Sequence, residues 1–376
     1  MQVQGYFDLR FEAVREAFGS LFEGTQQRGA ALCVQIGGET VVDLWAGVAD
    51  NQGEQVWHSD TLVNLFSCTK TFTAVAALQL VGEGKLELDE PEFATNGKAA
   101  ITLRQLLCHR AGLPAIRRPL PAEALYDWDV MTAALAAEEP WWTPGTDQGY
   151  AAMTYGWLVG ELLRRVDGCG PGESITRRTA APLGLDFHVG VDDVDADRVA
   201  YLTRTKNDFG DASAQRLFKT LMSESESIST KAFNNPPSIM SSGNKPEWRR
   251  MAQPAANGHG NARSLAGFYT GLLQGKLLDE ALLREMTRQH SAGEDRTLLA
   301  ATRFGLGCWL DQPDVANATF GMGAQAFGHP GAGGSIGFAD PDRQLAFGFV
   351  TNTLGPYVLM DPRAQALARC VAECMR

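Results

Sequence analysis

The chain has 376 residues, 44% hydrophobic and 20% charged, enough apolar content to bury a large core in two closely packed subdomains. Its formal net charge of −11, with no basic run and no stripe of Arg interleaved with aromatics, excludes nucleic acid as a partner, because phosphate binding needs clustered cations. The opening MQVQGYFDLRF lacks a basic stretch followed by a long apolar run, and nowhere do roughly eighteen apolar residues occur together, so neither export nor a membrane span is expected.

Taken in chain order, Ala30 to Val48 holds two β-rich runs around Gly37-Gly38, the pattern of a hairpin. Cys68 to Glu83, Ala99 to Leu107, Trp128 to Ala137 and Tyr155 to Arg165 carry helix formers with apolar positions three or four apart. From about Phe209 to Pro254 the chain is rich in Ser, Asn, Gly and Pro, which predicts long loops and short helices. FGLGCWL (304–310), GGSIGFAD (333–340) and RQLAFGFVTNT (343–353) read as strands, with Asp340-Pro341-Asp342 as a turn. The segment from Pro362 is again helical in period. The fold class expected is α+β: an antiparallel sheet flanked by helices and built from both chain ends, interrupted by a mainly helical insertion. The units would be 1–64 with 260–376, and 65–259, with the active site in the cleft between them.

Three local features could carry chemistry. The first is Ser67-Cys68-Thr69-Lys70 at the start of a helical run: a spacing of three on a helix puts hydroxyl and amine on one face, above the positive end of the helix. The pair works only if burial or a cationic neighbour lowers the Lys70 pKa; otherwise Ser67 reads as a helix cap and Lys70 as a surface residue. A second S-x-x-K, Ser242 to Lys245, lies in a breaker-rich loop and reads as chance.

The second is Trp142-Thr143-Pro144-Gly145 followed by Tyr150-Ala151-Ala152: a turn can project the phenol into a cleft, where Lys70 beside it would hold it partly deprotonated. Its bland alternative is a packed tyrosine with one hydrogen bond. The third is Gly328-His329-Pro330-Gly331-Ala332-Gly333-Gly334-Ser335, in which an amide could donate to an oxyanion alongside that of Ser67, or which is a plain hairpin turn with a structural His329.

Gly333-Gly334-Ser335-Ile336-Gly337 also satisfies the G-x-S-x-G nucleophile elbow, but that elbow needs a strand before the serine and a helix after it, and Ile336 onward reads as strand. His109 and His259 read as loop-ordering residues; with no H-x-x-x-H or H-x-H no metal site is suggested, and no phosphate-binding glycine motif follows a strand. The seven cysteines (33, 68, 108, 169, 308, 370 and 374) form no C-x-x-C pair, so a reducing cytoplasm is expected rather than a disulfide framework or a zinc site.

Taken together, SCTK at a helix start, W-T-P-G before a tyrosine and H-P-G before a C-terminal strand resemble the serine β-lactamase and penicillin-binding protein superfamily. More closely, the chain resembles the family VIII carboxylesterases, from about Gly29 to Thr353 and including LLCHRAGLP, NGHGNARSL and GSIGFADP. The resemblance implies a β-lactamase/transpeptidase-like fold, a cytoplasmic enzyme without cofactor, and hydrolysis of a small-molecule ester of short acyl chain. It makes Ser67 the nucleophile, Lys70 and Tyr150 the proton-transfer groups, and the amides of Ser67 and Ala332 the oxyanion hole. It places His329 and Gly331 against the substrate. Trp309, with Trp128, Trp141, Trp142 and Trp248, is a candidate wall for the acyl group, although so many aromatics equally read as core.

Two departures bear on substrate: His329 stands where lactamases have the Lys of K-T-G, and Ala152 where their tyrosine motif ends in Asn. Both remove groups that help hold a β-lactam, so an ester fits better. Leu88 to Phe93 is shorter than the family's pattern. The alternatives are a β-lactamase, D-amino peptidase or acyltransferase on the same nucleophile, or a catalytically silent scaffold that keeps the fold; association of the chain with copies of itself stays open.

Overall fold

Alternation along the sheet strands decides how the two layers pack. In Gly29–Ile36, Ala31 and Cys33 join one core cluster, while Ala30, Leu32 and Val34 join another on the opposite face, as a strand with a period of two requires. The computed structural model of the chain describes residues 2–90, 98–99, 101–192, 195–206, 208, 210–237 and 243–376.

The strands are β1 (Gln4–Phe7), β2 (Gly29–Ile36), β3 (Glu39–Gly47), β4 (Val63–Asn64), β5 (Phe187–Val189), β6 (Thr203–Arg204) and β7 (Gly258–Gly260). They continue with β8 (Ser291–Glu294), β9 (Ala301–Phe304), β10 (Trp309–Leu310), β11 (Phe327–Pro330), β12 (Ile336–Asp340), β13 (Leu345–Thr351) and β14 (Thr353–Leu354). The helices are α1 (Glu12–Ser20), α2 (Thr69–Gly82), α3 (Leu103–Leu107), α4 (Trp128–Ala137), α5 (Thr154–Asp167), α6 (Pro171–Ile175), α7 (Ala212–Ser223), α8 (Ile228–Asn234), α9 (Pro246–Arg250), α10 (Ala262–Leu273), α11 (Glu280–Thr287) and α12 (Pro362–Cys374).

Nine strands form one antiparallel sheet in the order β1-β3-β2-β13-β12-β11-β10-β9-β8, so strands from both chain ends meet where β2 pairs with β13. On one face lie α1 and α12, whose Phe11, Val14, Phe18, Leu367 and Val371 pack against Leu32, Phe338 and Phe347. On the other lies α10, set so close that a Cβ on Gly348 would run into the Ala262 carbonyl. Beyond α10 comes α2, apolar on every side and buried along nearly its whole length, the behaviour of a helix at the centre of a core. Its polar first turn is satisfied locally: Thr71 donates to the Gly307 carbonyl at 3.0 Å and Thr73 to that of Pro254 at 2.7 Å. The chain therefore has the β-lactamase/transpeptidase-like α+β fold, a helix-flanked antiparallel sheet drawn from both ends of the chain.

Several predicted elements change in detail. The stretch 304–310 is a hairpin rather than one strand: the chain turns at Gly305 to Gly307, and Trp309 pairs back on Phe304. The helix expected from Ala99 starts at Leu103, because Thr102 caps it with Gln105 in a reciprocal capping box. Gly328 to Pro330, read as part of a turn, is strand β11, and the turn proper is Gly331 to Ser335. Within the loop-rich 209–254 stretch, α7 runs for 12 residues. Ser242, and residues 91–93 of the short passage from Leu88, lie outside the described residues. No helix among the described residues is long and apolar enough to cross a membrane.

Candidate active site

Ser67 sits in the link between β4 and α2, just before the first helical turn. Its approach is strained: Phe66 takes φ of 46°, left-handed backbone that bulky side chains avoid. The surroundings impose it, since the Leu65 amide donates to the Gly258 carbonyl at 2.8 Å and the Thr69 hydroxyl donates to the Phe66 carbonyl while accepting from the Gly258 amide at 2.8 Å. Phe66 and Ser67 are partly exposed, whereas Cys68, Thr69 and Lys70 are buried.

One turn on, Lys70 is fully buried and meets no carboxylate among the described residues. Its Nζ lies 3.3 Å from Ser67 Oγ, 2.8 Å from the Ala152 carbonyl and 3.0 Å from that of Ala255. Burial pushes the amine well below the usual lysine range. Burial and a short distance to the serine, which the spacing alone left open, are both present.

Tyr150 arrives from the loop before α5 with its ring centroid 4.7 Å from Lys70 Nζ and its phenol hydrogen-bonded to Ser67. Burial pushes the phenol well up, opposed by the Ser67 hydrogen bond and helped by Cys68 and then by the Asp295 charge. Burial thus favours the protonated phenol and the neutral amine, the opposite sense to the partly deprotonated phenol expected next to a lysine. His109, expected to order a loop, does so here: its Nδ1 accepts from the Ala151 amide at 3.2 Å and its ring lies 4.7 Å from that of Tyr150. Burial pushes His109 well below the usual imidazole range.

The β11–β12 turn closes the site from the sheet side. The Cys68 thiol donates to the His329 carbonyl at 3.2 Å, and Gly331 packs directly on the Leu65 carbonyl. The Gly331 amide donates to Ser335 at 2.7 Å, whereas the amides of Ser67 and Ala332 donate to no acceptor among the described residues. Ala332 is exposed at the tip of the turn. Ser335 is buried, with its Oγ accepting from the Thr351 amide at 3.2 Å, so the G-x-S-x-G serine is part of the sheet wall.

His329 is buried, donates from Nδ1 to the Pro330 carbonyl at 2.7 Å, and is pushed down to about 3 by burial and then by Lys70. Its Nε2 has no hydrogen-bond partner among the described residues. Trp309 packs edge-on against Tyr150 and His329, with centroids 6.4 and 6.0 Å apart. Trp128, Trp141 and Trp248 donate their indole N–H to protein acceptors, whereas those of Trp142 and Trp309 do not. The structure thus sorts tryptophans that composition alone could not rank.

Ser67, Lys70, Tyr150, His329, Trp309 and the Gly331–Ala332 turn therefore converge from the helical insertion and the C-terminal part of the sheet. Sequence reasoning missed Cys68 and Asp295, which hold this arrangement by side chain to backbone bonds that leave no motif. His259 lies apart on β7, its Nδ1 bonded to the Asn257 carbonyl at 2.7 Å. Among the described residues, no three His, Cys, Asp or Glu side chains gather as a metal would require.

Compared with known proteins, residues 14–369 match the Beta-lactamase family. The chain is 34% identical over 379 aligned residues to Esterase/beta-lactamase LipL of Mycobacterium tuberculosis, covering 96% of this chain and 85% of that protein. Among solved structures it superposes on a family VIII carboxylesterase with a TM-score of 0.87 at 33% identity, and on a penicillin-binding protein homolog from Caulobacter crescentus with a TM-score of 0.86 at 34% identity, covering 100% of each chain in both cases.

Proposed function

Because the chain belongs to the Beta-lactamase family, as a serine hydrolase resembling its family VIII carboxylesterases, we propose that it hydrolyses neutral short-chain esters through an acyl-enzyme on Ser67. The observation that carries the reading is the buried Lys70 amine, 3.3 Å from Ser67 Oγ and without a carboxylate partner among the described residues. An amine kept neutral by burial is a competent base for the serine hydroxyl.

In the first half-reaction Lys70 takes the Ser67 proton as the oxygen attacks the ester carbonyl, and the free amides of Ser67 and Ala332 receive the negative charge. As the tetrahedral species collapses, the Tyr150 phenol gives its proton to the departing alkoxide and recovers one from the Lys70 ammonium. The alcohol leaves and the acyl group stays on Ser67. Water then attacks, passing a proton to the pair, and Ser67 leaves with that proton.

Substrate class follows from what the pocket lacks. Where lactamases have a lysine, His329 is a neutral imidazole, and Ala152 offers no side-chain amide. A carboxylate-bearing substrate would find no cation there, whereas a neutral ester needs none. All seven cysteines are free, which fits a cytoplasmic, reducing setting.

A second reading, lactam hydrolysis by the same acyl-enzyme, draws support from the name of the Mycobacterium tuberculosis relative. Turnover of p-nitrophenyl butyrate against nitrocefin, with intact-mass mapping of a fluorophosphonate adduct, decides between them. Ester turnover with the adduct on Ser67 is expected; faster nitrocefin turnover would give the site to lactams.

A further inference from the structure

The loop that presents Tyr150 is held from the sheet side by a single buried carboxylate. Asp295 opens the tight link between β8 and β9, where its amide donates to the Ala300 carbonyl at 2.9 Å. Its Oδ1 accepts from the amides of Thr297 and Leu298, each at 2.9 Å, which is a local turn motif. Both oxygens then reach across to the Tyr150 amide, at 3.0 Å each. Thr302 completes the shell: its hydroxyl accepts from Gln148 Nε2 at 2.8 Å and therefore turns its own proton to Asp295 Oδ2 at 3.4 Å. Gln148 is fastened to the same hairpin, its carbonyl accepting from the Arg296 amide at 3.1 Å and its Nε2 reaching the Gly293 carbonyl at 3.0 Å.

Every neighbour of the Asp295 carboxylate is a donor. These donors favour the ionised carboxylate against a burial that pushes its pKa up. Asp295 is fully buried and makes no ion pair among the described residues. A buried, unpaired carboxylate is an expensive way to close a turn that asparagine could close. The charge itself acts on something, and the Tyr150 phenol lies within its field.

We infer that Asp295 is a positioning residue for Tyr150: it fixes the backbone that carries the phenol and sets a permanent negative charge beside the Lys70–Tyr150 proton pair. The inference rests on the acyl-enzyme reading above. During attack on the ester, Lys70 becomes a cation in a buried site with no carboxylate in ion-pair contact among the described residues, and the Asp295 charge, which reaches the adjacent Tyr150 phenol, would favour that cation. The other titratable groups facing the Tyr150 ring or phenol are His109, His329, Tyr155 and Cys68. Burial keeps both histidines neutral and pushes the Cys68 thiol up to about 12. Across the working pH range the charge balance of the site therefore lies between Lys70 and Asp295.

The test is a comparison of wild type, Asp295→Asn and Ser67→Ala with p-nitrophenyl butyrate, reading kcat, KM and the pH profile. Asp295→Asn keeps the side-chain volume and removes the charge. It is expected to lower kcat by roughly ten- to a hundredfold, the scale of a misplaced catalytic group, with KM little changed. The acid limb of kcat/KM is expected to move to lower pH, because the base loses the charge that favours its protonated form. A folded Asp295→Asn with wild-type kcat and an unmoved limb overturns the inference. If that variant does not fold, Thr302→Val, which removes one donor to Asp295, is compared with Thr302→Ser: lowered kcat in Val alone supports the role, and wild-type kcat in both overturns it. Ser67→Ala separates the two levels. Turnover surviving in it sinks the acyl-enzyme itself, whereas a dead Ser67→Ala beside a fully active Asp295→Asn sinks only the role of Asp295.

Discussion

Gly331 lies directly on the Leu65 carbonyl oxygen, where any side chain would collide with backbone, and its position for a Cβ is 3.3 Å from Cys68 Sγ. Two segments more than two hundred residues apart in the sequence are thereby pressed together at the nucleophile. The contact seats the β11–β12 turn against the start of α2, so that the Ala332 and Ser67 amides can serve one oxyanion.

Gly331→Ala should push the turn away from Ser67. Loss of one oxyanion donor typically lowers kcat by about 10²- to 10³-fold, and a loss on that scale is expected for p-nitrophenyl butyrate, with a smaller change in KM. The melting temperature, read alongside, separates this from unfolding. Wild-type kcat in a folded Gly331→Ala would show that Ala332 does not contribute to the hole.

Ser67 and Ser335 each sit in a motif that could mark a nucleophile, and their surroundings call for opposite responses to alanine. Ser67→Ala is expected to abolish ester turnover with little effect on folding. Ser335→Ala strands the buried Thr351 amide that its hydroxyl receives at 3.2 Å, a loss of about 1–3 kcal/mol of stability, while turnover remains. Chemical denaturation and steady-state kinetics on the two variants check both halves.

What could be read beforehand was the chemistry whose parts are neighbours in sequence. Ser67 and Lys70 are three apart on a helix, and local geometry alone puts them together. The glycine-rich turn and the β2–β3 hairpin were legible for the same reason. Asp295 was not, because its contact with Tyr150 spans 145 residues and uses only a backbone amide on the other side. Cys68 was hidden likewise, as the middle of a motif whose ends drew the attention. The β1 strand is four residues long with a mostly exposed, polar face, too short for alternation to register. The burial of Tyr150, which opposes loss of its proton, comes from all sides, and no pairwise spacing encodes it.

The pH dependence of activity should follow the depressed Lys70 amine. The base works only when neutral, so kcat/KM is expected to fall as the pH drops through its folded pKa and to hold steady through neutrality, since that pKa lies well below the lysine range. His109 and His329 are already neutral there and add no step. A pH profile with p-nitrophenyl butyrate that keeps rising from neutrality up to about pH 10, where free lysine titrates, would mean that the amine is charged at rest and that Lys70 is not the base.

The same depression makes Lys70 a burden on folding at neutral pH. In the unfolded chain its amine titrates near pH 10.4, about 1.4 kcal/mol for each pH unit of difference from the folded value. Between the folded and unfolded pKa values the unfolded state holds a proton that the folded state lacks, so stability rises with pH through that window and is lost as pH falls through it. Lys70→Met keeps a long, unbranched side chain, removes the titration, and leaves the carbonyls of Ala152 and Ala255 without that donor. The carbonyl loss is roughly constant with pH and the titration gain is not. The variant should therefore lack ester turnover and show its most favourable melting temperature relative to wild type near neutrality, with the difference moving against it by a few degrees as the pH approaches about 10. Melting curves of both proteins from neutral to alkaline pH check this, and a difference that does not change with pH would mean that the folded protein keeps Lys70 protonated.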